Sequence, residues 1–361
     1  MALGTDGIIL TGAAGGAVAA TDKGFIPEVW EDDVIAQYKA NLVTSNLVSK
    51  LNHNGRKGDT IYLPTITDRK TAVPTEKSAD SQVTLNAANA AEITVNINKH
   101  YEYSFLYEDI VSLQGLDSLR RHYTDHAGFA LARQVDRDIA EAFEDTNGGT
   151  NYIGTAGDGM VTGSDGATSF LGTAGANLGN AAALTDAGIR NIIQKLDDED
   201  NPMSDRNLVI PPVERNNIMG LARFTEQAFV GEAAGSNTIR NGMIGQLYGV
   251  GVSISTNLLY IHQDSSDGNT AFLWTSTAMG TGNVTSRVGG GTTVAVATDG
   301  GVQGRVALMF HRGAVVHAEQ QGIRTQTQYK QEYLGDLFTA DCVYGVAEQR
   351  DYAAVPIAVA A

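Results

Sequence analysis

Cysteine, proline and charge are all scarce in this chain, and each shortage excludes something. A single cysteine, Cys342, excludes an intrachain disulfide framework and agrees with a cytoplasmic site of synthesis. Only 7 prolines stand against 41 glycines, so the turns of this loop-rich chain rest on glycine. Charged residues make up 18%, below the usual share of about 25%. Basic residues are the scarcer sign: 25 Lys and Arg against 41 Asp and Glu leave a net charge of −16. That excludes a general nucleic-acid-binding surface, which needs clustered cations against phosphate. An acidic wall can still enclose DNA without gripping it, and negative charge also keeps a concentrated protein soluble. No apolar run approaches the 18 or so residues of a membrane span. The N-terminal MALGTDGIILTGAAGGAVAA has no Lys or Arg before its small-residue tract, carries Asp6 and breaks its apolar run with glycine, so it does not read as a secretory signal. What remains is a chain of 361 residues with 42% hydrophobic residues, long enough for two cores on a prior of about 150 residues each.

Catalytic patterns are missing too. His122 and His126 stand four apart on a helical pattern, but HYTDH lacks the glutamate of HExxH and a third ligand. His311 and His317 flank a strand pattern and read as packed residues. Asp197, Asp198, Glu199, Asp200 and Asp205 do not follow the order of an EF-hand and read as a solvated loop. The glycine-rich runs GTAGDGMVTGSDG and VGGGTTVAVATDGG match neither a Walker loop nor a dinucleotide fingerprint. No GxSxG elbow occurs, and no histidine near Cys342 in sequence suggests an activated thiol. Carboxylates are too common to single out a glycosidase pair. Asn283-Val284-Thr285 is a glycosylation sequon only in a secreted protein. The expectation is a non-enzymatic chain with no catalytic, cofactor-binding or metal-binding residues.

Three features stand out against this background. In EITVNINKHYEYSFLY, residues 92–107, Ile93, Val95, Ile97, Tyr101, Tyr103, Phe105 and Tyr107 fall on one parity, and Lys99 alone interrupts them. Period two predicts a strand with one buried face, and a straight ribbon of this length would span about 50 Å. GRKGDTIYLPTI predicts a shorter strand before it, and the polar excursion between them makes a long flap whose edges ask for a partner. Leu119, Tyr123, Ala127, Ala130, Leu131, Val135, Ile139, Ala142 and Phe143 then recur at steps of three and four. They predict a helix over 116–144, about 42 Å long, with Asp117 at its N-cap and Arg120, Arg121, Asp125, Arg133, Arg137, Asp138 and Glu141 on the opposite face. A helix is also expected within FIPEVWEDDVIAQYKANLVTSNLV, and another in TDAGIRNIIQKLD, capped by Thr185 with Ile189, Ile192, Ile193 and Leu196 inward. Residues 147–183 read as a glycine-rich surface insertion. RNLVIPP, QLYGVGVSIS, AFLWTSTA, VALMFHRGAVVHA and RTQTQYKQEY each predict a strand, VERNNIMGLARF a helix, and DCVYGVAEQRDYAAVPIAV a last pair of strands.

Taken in order, FIPEVWEDDVIAQYKANLV, GDTIYLP leading into KHYEYSFLYEDI, LDSLRRHYTDHAGFALARQVDRDIAEAF, RNLVIPP, IRNGMIGQLYGVGVSISTNL and ALMFHRGAVVHAEQQGIRTQTQ with LFTADCVYGVAEQRDYAAVPIAV resemble a tailed-bacteriophage (Caudoviricetes) major capsid protein of the Hong Kong-type phage capsid fold. The resemblance implies an α+β fold. Residues 1–46 would be an N-terminal arm, and 47–110 an extended loop, a long β-hairpin, with its stem. Residues 111–184 would hold the spine helix of a peripheral domain plus the glycine-rich insertion. An axial domain would follow at 185–323, and the C-terminal strands 324–361 would return to the peripheral domain. It implies hexamers and pentamers of a homo-oligomeric icosahedral shell around double-stranded DNA. It also implies a portal, with scaffolding or decoration proteins as further partners, and a virion capsid made in the host cytoplasm. On this reading the ribbon's apolar face is covered by a neighbouring subunit. Some members cross-link a loop lysine to an asparagine; Lys70 and Lys77 lie in the right segment, but no asparagine follows Asn283, so a non-covalent shell is expected. An encapsulin-type nanocompartment is the nearest alternative, and a secreted β-rich polysaccharide-binding or hydrolysing protein is an alternative of another class.

Overall fold

The computed structural model describes residues 42–53, 57–66, 90–109, 117–144, 159–170, 181–221, 245–263 and 304–360, with short stretches at 74, 76–80, 82–83, 146–147, 272–275, 283–285 and 293–295. Most of the arm, most of the predicted helix within 25–48 and most of the polar excursion lie outside these residues. In chain order the elements begin with α1 (Thr44–Leu47), β1 (Ser49–Asn52), β2 (Thr60–Ile66), β3 (Ala90–Asn96), β4 (Lys99–Glu108) and α2 (Asp117–Glu141). β5 (Val161–Thr162), α3 (Asp186–Asp198), β6 (Arg206–Ile210), α4 (Pro212–Met219), β7 (Gln246–Leu247), β8 (Val250–Ile254) and β9 (Tyr260–Gln263) follow. Last come β10 (Phe272–Thr275), β11 (Asn283–Thr285), β12 (Thr293–Ala295), β13 (Gly304–His311), β14 (Val315–Lys330), β15 (Gly335–Glu348) and β16 (Ala354–Val359).

The eight-stranded sheet runs β10-β9-β13-β6-β8-β7, with β16 against β13 and β5 against β16. Its central strand β13 is buried along nearly all its length because both faces are covered. Val306, Leu308 and Phe310 pack on one face with Ile139 of α2 and with Phe143 just beyond its end. Ala307 and Met309 pack on the other with Ile189, Ile192 and Leu196 of α3. The predicted cap of α3 forms: Gly188 N–H donates to Thr185 Oγ1 at 3.0 Å. QLYGVGVSIS is two strands, not one, because Tyr248 and Gly249 take φ of 52° and 81° and turn β7 tightly into β8. The glycine-rich segment is more than a surface insertion, since Met160, Val161 and Phe170 are buried in the core.

The four-stranded sheet runs β1-β14-β15-β4. VALMFHRGAVVHA belongs half to each sheet: β13 ends at His311, and β14 starts at Val315 and runs unbroken through RTQTQYK. The final two strands do not pair with each other. β15 joins β14 and β4, whereas β16 returns to β13 in the eight-stranded sheet.

The long ribbon also divides. β3 pairs with β2 as a hairpin, and β4 pairs with β15, the break falling at Ile97 and Asn98. Parity holds across the break, with odd positions sheltered and even ones exposed. The cover comes from the same chain rather than a neighbour. Val95, Ile61 and Leu63 pack on Val316 and Ala318. Tyr101, Tyr103 and Phe105 pack with Ala127 and Leu131 of α2 and with Phe338 of β15. A long helix that crosses the sheet is close enough to bury that row, which sequence separation conceals.

Lys99, the residue that breaks the apolar row, places Nζ 3.0 Å from Asp138 Oδ2 on α2. Asp138 is 1% exposed and also accepts from Tyr344 Oη at 2.8 Å and Gln134 Nε2 at 2.6 Å. It therefore does not lie on the expected solvated face; seven residues from Leu131, it shares that residue's side of the helix. Asp136, likewise buried, accepts from Ser45 N–H at 3.0 Å and Asn257 Nδ2 at 3.1 Å. Asp138→Ala should lower the stability of the unassembled chain by about 3 kcal/mol, because Lys99 and the buried Tyr344 hydroxyl lose their acceptor. Glu102→Ala, on the exposed parity of β4, should change it by less than about 0.5 kcal/mol. Urea midpoints check this, and equal midpoints for the two variants would refute it.

Candidate functional site

Among the described residues, the candidate histidines and carboxylates do not come together as a catalytic set. His126 sits with its ring 6.0 Å from that of Tyr103, and the side chain of His122 lies outside the described residues. His311 Nδ1 accepts from Gly313 N–H at 3.1 Å inside a tight turn. Asp197 pairs with the buried Arg206 at 2.7 Å. Glu214 is buried and accepts from Leu184 N–H at 2.8 Å; burial raises its carboxyl above the ordinary range. Its role is to tie the entry of α3 to α4. No group of three metal-ligating side chains occurs among the described residues.

One pairing escaped the sequence. Cys342 and His317 line the same cavity of about 400 Å³ between α2 and the four-stranded sheet. Burial pushes the thiol up to about 11, so it stays protonated at neutral pH and is no nucleophile.

The surface offers a different kind of chemistry. β1 pairs with β14 only over Val316–Glu319, and β15 occupies the opposite edge of β14. Beyond Glu319 the outer edge of β14 has no strand partner among the described residues, and its face is exposed almost to Lys330. Unpaired edges of this kind accept another chain. At the tip, the turn into β15 exposes Tyr333 (61%) and Leu334 (64%), and Tyr329, Leu106 and Ile323 are exposed on the same sheet. Leu334 holds φ at 46°, a left-handed conformation that branched apolar side chains rarely take. An apolar side chain presented to solvent at some backbone cost marks a surface built to meet something. Arg324 makes a charge pair with Asp341 at 2.8 Å, and Gln321 Nε2 donates to the same carboxylate at 2.9 Å. Arg324 first, then Gln321 and His100, hold the Asp341 carboxyl below the ordinary carboxylate range. That stability is full above the ordinary value near pH 4 and is lost as pH falls below it.

The β2–β3 hairpin is the second exposed feature. Tyr62 on its outer face is exposed, and of the two loop lysines Lys77 is described, also exposed. The hairpin root crosses the sheet at Gly345, where an added Cβ would meet Asn96 O at 2.3 Å and Ile97 Cα at 3.1 Å. Only glycine lets the two backbones touch there.

A four-stranded sheet under a long helix, an exposed hairpin and a second buried sheet define the class: the fold of phage capsid subunits. The chain resembles a structure from Mycobacterium phage Che8 at 21% identity and a TM-score of 0.60, over 92% of this chain and 97% of that one. It resembles the capsid of cyanophage P-SCSP1u at 16% identity and 0.63, over 94% of each. A third likeness, at 12% identity and 0.54 over 97% and 100%, is to the capsid of a native GTA particle computed with C5 symmetry. No curated protein matches. The phage capsid protein family matches residues 92–357, and the chain belongs to it. That membership does not favour the encapsulin reading or the polysaccharide reading.

Gly345→Ala should displace the hairpin root, because the new methyl group meets backbone on the opposing strand. The expected outcome is soluble, helix-containing protein that no longer forms particles, measured by circular dichroism and electron microscopy. Particles indistinguishable from the parent's would show that the crossing tolerates a Cβ.

Proposed function

We propose that the chain is the major subunit of a tailed-phage capsid, joining its copies into hexamers and pentamers that tile an icosahedral shell around double-stranded DNA. The observation that carries this reading is the family match over residues 92–357, on a subunit whose four-stranded sheet ends in an unpaired edge and an apolar turn at Tyr333 and Leu334. The described chain buries its own ribbon, so the subunit folds alone and associates through these exposed ends. Contacts of this head-to-tail kind close by rotation into rings and shells. The similarity to the capsid of a native GTA particle supports assembly into a shell. A net charge of −16 supports enclosure of DNA without sequence-specific grip. On this reading the further partners are a portal and scaffolding or decoration proteins, and the destination is the virion after synthesis in the host cytoplasm.

The shell is non-covalent, on the ground that no asparagine follows Asn283 to meet a loop lysine. Denaturing gels of mature particles should show monomer bands alone, and a ladder of multimers would overturn it. Expressed protein should form closed shells in electron micrographs. Tyr333→Ser with Leu334→Ser should raise the concentration needed for assembly at least about tenfold while leaving circular dichroism unchanged. Sedimentation velocity reads this, and an unaltered threshold would remove the turn from the interface. Nucleic acid, rather than cargo protein, inside native particles separates a capsid from a nanocompartment.

A further inference from the structure

The cavity beneath the four-stranded sheet lies where the strand pairing is irregular. The β14–β15 register shifts between Glu319 and Gln321 and again between Gln321 and Arg324. Such bulges bend a strand away from its cover, and here they open the space between Gln321 to Ile323 and the Ala132 and Val135 side of α2. His317 faces that space, is 7% exposed and has its ring 5.5 Å from that of Tyr344. Neither ring nitrogen has a hydrogen-bond partner among the described residues. A buried polar ring left this way is costly and calls for an explanation.

The groups around it favour a neutral ring. From β1 comes Lys50, whose Nζ donates to Asn46 Oδ1 at 3.3 Å. From β15 come the Cys342 thiol and the Tyr344 hydroxyl, the latter committed to Asp138. On α2, Asp138 is already held by Lys99, and on β15 Asp341 is held by Arg324. Glu319 on β14 is the carboxylate left to favour an imidazolium. We infer that His317 is an acid-sensitive latch: the seam joining β1, β14 and α2 closes on a neutral imidazole and loosens when that ring takes up a proton through the cavity.

Burial is the largest influence on His317 and lowers its hold on a proton; Glu319 opposes this and Lys50 adds to it. An opened chain therefore protonates first as pH falls. The latch contributes fully above the ordinary histidine value of about 6.5 and is lost as pH drops below it. This seam lies at the root of the β2–β3 hairpin, since β1 carries the chain into it and Val316 and Ala318 of β14 support it.

The test is hydrogen–deuterium exchange of the full chain at pH 7.5 and 5.5, corrected for the intrinsic pH dependence of exchange. In the parent, peptides spanning 49–52 and 315–323 should exchange at least about threefold faster at pH 5.5, while those of β13 stay unchanged. His317→Phe keeps a ring of similar shape that cannot charge, and should abolish the acceleration. His311, which burial shifts in the same direction, is present in both proteins, so the difference reads His317 alone. Equal acceleration in parent and variant, or none in the parent, would overturn the latch. Should His317→Phe not fold, the parent measurement and His317→Gln decide on the same terms.

Discussion

One helix has to serve two sheets, and the rest of the described chain is arranged around that constraint. The apolar positions that α2 packs inward step by four: Ala127, Leu131 and Ile139 are buried and Val135 is partly buried. Each such step gains about 40° on a turn of 3.6 residues, so the apolar stripe winds about 120° around the rod from Ala127 to Ile139. Its beginning therefore faces the four-stranded sheet and its end faces the eight-stranded one, with Val135 touching both cores. Two carboxylates are buried where the stripe changes sides, about 160° apart around the rod: Asp138 is tied to Lys99, Gln134 and Tyr344, and Asp136 to Ser45 and Asn257. Buried carboxylates are tolerated there because every one of these partners is a donor.

The ribbon answers to the same helix. Its second half needs an apolar cover, and α2 supplies it through Ala127 and Leu131. Its first half rises off the sheet to pair with β2, and the changeover takes place against the bare backbone of Gly345. Asymmetry follows. One face of the four-stranded sheet is roofed by a helix and the other by a hairpin, while β14 past Glu319 and the turn at Leu334 stay exposed. On the proposed function, that bare end is a place for another copy of the chain.

Elements with a strong local period were legible in the sequence. The long helix, the parity of residues 92–107 and the Thr185 cap with Ile189, Ile192 and Leu196 inward all rest on periodicity or on a hydroxyl in the right place. The apolar run of β13 announced burial but not its two covers. What failed depended on contacts distant in sequence. Asp138 looked solvated because it is a carboxylate among charged neighbours, although at 11 and 7 positions from Ala127 and Leu131 it shares their side of the helix, and only its distant partners Lys99 and Tyr344 bury it. QLYGVGVSIS looked continuous because Tyr248 gives no sign that it will take a positive φ. The exposed turn at Tyr333 and Leu334 carried a weak signal, two apolar residues at the end of a polar strand, which alone says nothing of exposure.

By itself the sequence determined the kinds of element, their order, the absence of the sequence motifs sought for catalysis and a family resemblance, because each follows from neighbours a few residues apart. Tertiary structure decided which chain covers the ribbon, why Lys99 sits in an apolar row, where β16 returns and which sheet end stays open. Those outcomes depend on residues more than 200 positions apart in sequence, such as Tyr344 and Asp138, meeting at a helix that turns its greasy side from one sheet to the other.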